Sequence, residues 1–145
     1  MKPISAKIYP RFGFPPGKGQ TVDSETRNTI LLVDDDLTAL KMRSLILQQE
    51  GYDVLAAASG KEAVALFSNE SVDLVISDHL LQGDDGGVAT LQMKSLKSTI
   101  PVILLSGLPQ QPEGTEHVDA YFVKGGAVPE LLSIVRRLLL PEPSN

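Results

Sequence analysis

Leu74-Val75-Ile76-Ser77-Asp78 is a short aliphatic run that ends on a carboxylate, the pattern of a buried strand displaying an acid at its tip. Three further runs end in the same manner. Ile30-Leu31-Leu32-Val33 leads into Asp34, Asp35 and Asp36, Val102-Ile103-Leu104-Leu105 into Ser106, and Ala120-Tyr121-Phe122-Val123 into Lys124. Clustered carboxylates with a hydroxyl and an ammonium nearby are the groups needed to hold a divalent cation and a phosphoryl group.

Helical patterns separate these runs. The sequence predicts a helix from about Asp36 to Glu50, stopped by Gly51, and then a strand over Val54–Ala57. A capping box of Ser59 and Glu62 opens a second helix through Phe67, followed by a strand over Val72–Ser77, a third helix over Gly86–Leu96 and a strand over Pro101–Ser106. The next helix should fall between Leu108 and Asp119. That interval holds Pro109, Pro112 and Gly114 and few apolar residues, so no stable helix is expected there. After the strand Ala120–Val123, Pro129 suits a first helical turn, and Leu131, Leu132, Val135, Leu138 and Leu139 form an apolar stripe that Pro141 ends.

Strands alternating with helices indicate an α/β fold, an open doubly wound sheet of five parallel strands with right-handed crossovers. Ligands of such sheets bind beyond the carboxyl ends of the strands. That rule brings Asp34, Asp35, Asp78, Ser106 and Lys124 to one rim.

Composition narrows the function classes. A chain of 145 residues can bury about two-thirds of its unfolded surface in one core, and the absence of cysteine excludes disulfides and thiolate metal sites. Residues 1–27 carry four prolines, three glycines and an excess of cations, and are read as a flexible basic extension; residues 28–140 form the domain and 141–145 a tail, leaving no room for an output domain. The net charge of −5 divides into +3 for residues 1–28 and −8 for the remainder, which argues against nucleic-acid binding by the globular part. No run of about 18 apolar residues and no secretory signal is seen, so no membrane role and a cytoplasmic setting are expected.

Carboxylates gathered at one rim repel, by roughly 4 kcal/mol for a pair about 4 Å apart at an effective dielectric near 20. Oxygen ligands without His or Cys suit a hard cation, Mg2+ with Mn2+ as a substitute. An ionised Asp beside such a metal can attack phosphorus, and Ser106 and Lys124 would then bind the phosphoryl oxygens, with movement of Ser106 propagating the change. Asp36 reads as a helix cap. His79 should point away from Asp78 and serve packing, and His117 carries no functional expectation.

ILLVDDD, LVISDHLLQGDDGG, PVILLSG and AYFVKGG, in this order and spacing, resemble the receiver domain of two-component response regulators over roughly residues 28–140. The resemblance implies a flavodoxin-like strand order 2-1-3-4-5 with the fourth helix missing or degenerate. It implies Asp34 and Asp35 as the metal-binding pair, Asp78 as the phosphoacceptor and third metal ligand, and Leu80 as a ligand through its backbone carbonyl. Ser106 becomes the switch hydroxyl, Lys124 the phosphate-contacting lysine and Tyr121 the aromatic switch. The implied role is a single-domain signalling switch or phosphorelay intermediate, phosphorylated by a histidine kinase or histidine phosphotransfer protein and acting on an unknown protein target. Such a domain catalyses its own phosphorylation and dephosphorylation without being a conventional enzyme. Leu80 and Leu108 are expected to shield the acyl phosphate.

Departures from the family pattern are also present. Gly125 and Gly126 follow Lys124 where a proline is usual, the Met-Pro before Asp85-Gly86 is absent, and the Ser106–Lys124 interval is short. The usual dimer face is therefore altered, and a monomer or weak dimer is expected. Two other readings compete. Asp34-Asp35-Asp36-Leu37-Thr38 resembles the first motif of haloacid-dehalogenase-like phosphatases, which need further acids after the lysine, where only Glu130 and Glu142 remain. A degenerate receiver that binds partners without phosphorylation is the other.

Overall fold

The computed structural model describes residues 7–9, 27–81 and 84–140. Five parallel strands form its centre: β2 (Thr29–Val33), β3 (Asp53–Ala57), β4 (Leu74–Asp78), β7 (Val102–Ser106) and β8 (Ala120–Val123). They lie in the order β3-β2-β4-β7-β8, which is the 2-1-3-4-5 order expected of them. A sixth strand corrects the reading of the N-terminal stretch at one place. β1 (Lys7–Tyr9) pairs antiparallel with the outer side of β3, Ile8 opposite Leu55, and so covers one sheet edge. The remainder of the 1–27 extension before residue 27, and the 141–145 tail, lie outside the described residues.

Alternation along the strands assigns side chains to two cores, because a sheet with helices on both sides buries both of its faces. Leu31, Val33, Val75 and Val102 face Ala63, Phe67 and Met93, which come from α2 (Gly60–Asn69) and α3 (Gly86–Leu96). Ile30, Leu32, Ile76 and Leu105 face Leu40, Leu47, Leu131 and Val135, which come from α1 (Leu37–Gln49) and α4 (Val128–Leu139). The stripe read in the last helix behaves as expected: Leu131 and Val135 are buried, and Leu132, Leu138 and Leu139 pack partly buried around them.

Local chemistry fixes the helix ends. Asp36 caps α1 by accepting from the amides of Thr38 and Ala39, Ser59 Oγ accepts from the Glu62 amide at 3.1 Å, and Asp85 accepts from the amides of Gly87 and Val88. α1 ends in a Schellman turn. The Gly51 amide donates to Gln48 and the Tyr52 amide to Leu47, with Gly51 at φ 97°.

No helix forms between β7 and β8; residues 107–119 run as turns. Polar anchors hold the segment instead. Asp119 Oδ2 accepts from the Val102 amide and from Lys94, both at 2.8 Å, and His117 Nε2 lies 2.8 Å from the buried Thr90 hydroxyl. Burial and the neighbouring Lys94 hold His117 below its usual pKa, so its ring is neutral at pH 7. A short hairpin of β5 (Leu80–Leu81) and β6 (Asp84–Asp85) connects the tip of β4 to α3, an element the sequence pattern did not suggest.

Gly86 is required by a close approach. A Cβ there would lie 1.7 Å from the Asp78 carbonyl oxygen and 2.9 Å from Ser77 Oγ, so the start of α3 can press on the tip of β4 only with glycine. Gly51→Ala, which meets no atom but must hold a positive φ, should cost about 1 kcal/mol. Gly86→Ala should cost more, about 1–3 kcal/mol from overpacking, as read by denaturant midpoints of the two variants.

Candidate functional site

Asp34 follows β2 and Asp78 ends β4, and because these strands are neighbours in the sheet their carboxylates converge at its carboxyl end. Asp34, Asp35 and Asp78 each place one carboxylate oxygen within 4.8 Å of the other two, the only such group of possible metal ligands among the described residues. Asp34 and Asp78 are buried, and Asp35 is half-buried. Lys124, just beyond β8, donates from Nζ to Asp78 Oδ2 at 2.7 Å. Asp78 Oδ1 is buried with no hydrogen-bond partner.

An unpartnered buried carboxylate oxygen is costly. Burial is the largest influence on Asp78; Lys124 opposes it, and Asp34 adds to it, so the carboxyl is pushed up to about 7. Three hard oxygen donors around an unsatisfied oxygen fit a divalent cation such as Mg2+, which keeps waters and takes few carboxylates. Glu130, the acid that a phosphatase reading needed after the lysine, is exposed in the first turn of α4 and takes no part in this group; Glu142 lies outside the described residues.

The hydroxyl side of the rim is built on the backbone of one residue, Leu108. Ser106 Oγ, buried at the end of β7, accepts from the Leu108 amide at 3.1 Å, and the Tyr121 hydroxyl donates to the Leu108 carbonyl. The Lys124 amide donates to the Ser106 carbonyl at 2.8 Å, which ties the ends of β7 and β8 together. Leu80 opens the β5 strand opposite Asp85, and its side chain is 68% exposed, while Leu108 is also exposed. His79 turns toward Asp85, Gly87 and Thr115 and lies outside the carboxylate group.

One participant was missed in the sequence. Arg43, on α1, pairs through its guanidinium with Asp34 Oδ2. The available signal was a cation at the inward side of a helix, between Leu40 and Leu47, nine residues after the acid.

Comparison with known proteins assigns the chain and its fold to a family. The family model described as the response regulator receiver domain matches residues 30–135. A transcriptional regulatory protein of Bacillus subtilis, YbdJ, is 35% identical over 113 residues, covering 76% of this chain and 50% of that protein. The response regulator TrrA of Thermotoga maritima, solved in complex with Mg2+ and BeF, superposes with a TM-score of 0.74 at 31% identity over 77% of this chain and 99% of that one. TrrA in complex with the histidine kinase ThkA gives a TM-score of 0.73 at 30% identity, covering 78% and 99%. The chain spans half or less of the length of the curated relatives it matches. With five parallel strands in this order, the acidic group at their ends and a family match over most of the chain, the protein belongs to the response regulator receiver domains.

Proposed function

We propose that this receiver accepts a phosphoryl group on Asp78 from a histidine kinase or a histidine phosphotransfer protein and acts as a cytoplasmic signalling switch or phosphorelay intermediate. The observation that carries the proposal is the division of labour on one carboxylate: Lys124 holds Asp78 Oδ2 and Oδ1 is left buried and unpartnered. The complex of the similar TrrA with a histidine kinase supports the partner class.

In this reading Asp34, Asp35, Asp78 and the Leu80 carbonyl hold Mg2+, with Mn2+ able to replace it. The bound ion supplies charge neutralisation for the carboxylates and the phosphoryl oxygens. The chain's own residues do the remainder. An oxygen of Asp78 forms the bond to phosphorus as the bond from phosphorus to the donor's imidazole nitrogen breaks, and the electron pair leaves with that nitrogen. Lys124 stays beside the acceptor and offsets the added charge. Ser106 Oγ accepts from the Leu108 amide and keeps its own O–H to donate to a phosphoryl oxygen, so any movement of Ser106 toward that group is felt by the segment that stands in place of a fourth helix. That segment and α4 form the surface expected to meet a downstream protein, with the domain a monomer or weak dimer.

Acetyl phosphate or beryllofluoride with Mg2+ should modify the wild type, and Asp78→Asn should reduce incorporation to background, as read by intact mass and by fluorine or proton spectra. A wild type that gives no Asp78-dependent response would favour a phosphorylation-independent binding module. Turnover of phosphate esters would favour a phosphatase.

The raised carboxyl also predicts a pH dependence for the metal-free protein. Folded Asp78 holds its proton up to about pH 7 whereas the unfolded group releases it near 3.8, so the folded state binds more protons in between and stability falls as pH rises through that window. The fall should be on the order of 1–3 kcal/mol. In EDTA, urea midpoints from pH 4 to 7.5 should show it, and Asp78→Asn should flatten it.

A further inference from the structure

We propose that Arg43 is an internal counter-cation that competes with the divalent metal for Asp34 and so sets the metal affinity of the acidic site. The inference rests on the function proposed above for that site, and it concerns a residue with no place in that function.

Arg43 is placed where packing alone would not put it. Its neighbours on the inward side of α1 are Leu40, Ser44 and Leu47, all buried, and arginine is seldom accommodated at such positions unless paired. Its partner is more completely compensated than Asp78. Asp34 Oδ1 accepts from the Asp36 amide at 2.9 Å and Oδ2 from Arg43, whereas Asp78 keeps an unpartnered oxygen. A divalent ion approaching the three acids therefore meets one whose charge is already answered by the protein.

The guanidinium also has somewhere to go. Arg43 retains 23% side-chain exposure and borders a cavity of about 210 Å³ between α1, the sheet and α4, roofed by Gly125 and Gly126. Lys124 lines the same cavity, and its like charge favours an outward path for the arginine head. Partial exposure and a bordering cavity thus leave the guanidinium room to depart from Asp34.

In water's dielectric a monovalent cation some 6 Å from a divalent one weakens its binding about tenfold, so removal of the arginine charge should be visible. Mg2+ affinity is measured by calorimetry on the folded wild type and on Arg43→Gln and Arg43→Lys. The expected result is about tenfold tighter Mg2+ binding for Arg43→Gln and near-wild-type affinity for Arg43→Lys. Thermal unfolding supplies a second readout. Arg43→Gln should melt lower than the wild type in EDTA, and added Mg2+ should raise its midpoint by more than it raises the wild type's. Unchanged or weaker Mg2+ binding by Arg43→Gln overturns the proposal. If the wild type still takes up phosphoryl groups at Asp78 in that case, Arg43 alone loses its role; if neither protein binds Mg2+ or is phosphorylated, the receiver chemistry falls with it.

Discussion

Two buried carboxylates on adjacent strands, Asp34 and Asp78, must be reconciled with each other before anything else at this end of the sheet can be arranged. With Asp35 nearby and oxygens within 4.8 Å, each like-charged pair costs about 3–4 kcal/mol at an effective dielectric near 20. The parallel sheet leaves no alternative placement, because strand register fixes where the tips fall. The protein answers with cations from two elements: Lys124 from the end of β8 meets Asp78, and Arg43 from α1 meets Asp34. One oxygen, Asp78 Oδ1, is left unanswered, and on the proposed function that residual mismatch is what a metal and a phosphoryl group would exploit.

The neighbouring elements are shaped by the same constraint. α3 begins at two glycines because the first must lie against the Asp78 carbonyl, which keeps the β4 tip from drifting toward solvent. Beyond β7 the chain forgoes a helix and is pinned through side chains: Asp119 to the β7 amide ladder, His117 to Thr90, Tyr121 to the Leu108 carbonyl. A helix satisfies its own backbone groups in a repeating ladder, whereas this segment depends on individual side-chain contacts, those just named and a local set around Thr115. Each lost contact therefore releases a larger share of its structure.

Much of this was legible in the sequence, and the reasons differ by element. Strands buried on both faces write themselves as aliphatic runs, so the four acid-, hydroxyl- and lysine-bearing tips could be located from Leu74–Asp78 outward, and the helix bounds follow caps such as Asp36, Ser59 and Gly51. Prolines at 109 and 112 announced the missing helix correctly. β1 was invisible because a three-residue edge strand gains its stability from β3's free edge, which is information carried elsewhere in the chain. The β5–β6 hairpin is equally short. Arg43 escaped for another reason: a helix period shows which side a residue faces, yet not that its head group will cross to a strand tip.

These differences bear on how a state of Asp78 would be communicated. Ser106 Oγ and the Tyr121 hydroxyl both bond the backbone of one residue, Leu108, at the start of the segment lacking a helix. A displacement of Ser106 would strain or release the Leu108 amide that it accepts from and so bear on the carbonyl that Tyr121 holds. In a chain with a regular helix after β7, the helix's internal bonds would resist that change and pass it on as a rigid displacement. Here the segment's internal bonds are local ones among Gln111, Pro112, Gly114, Thr115, Glu116 and Val118, and its anchors at Thr90 and Lys94 lie on α3, the helix that presses through Gly86 on the Asp78 carbonyl. On the proposed function, then, phosphorylation is reported by remaking a side-chain-pinned loop between α3 and α4, which places the readout beside the acidic site rather than on a distant helical face.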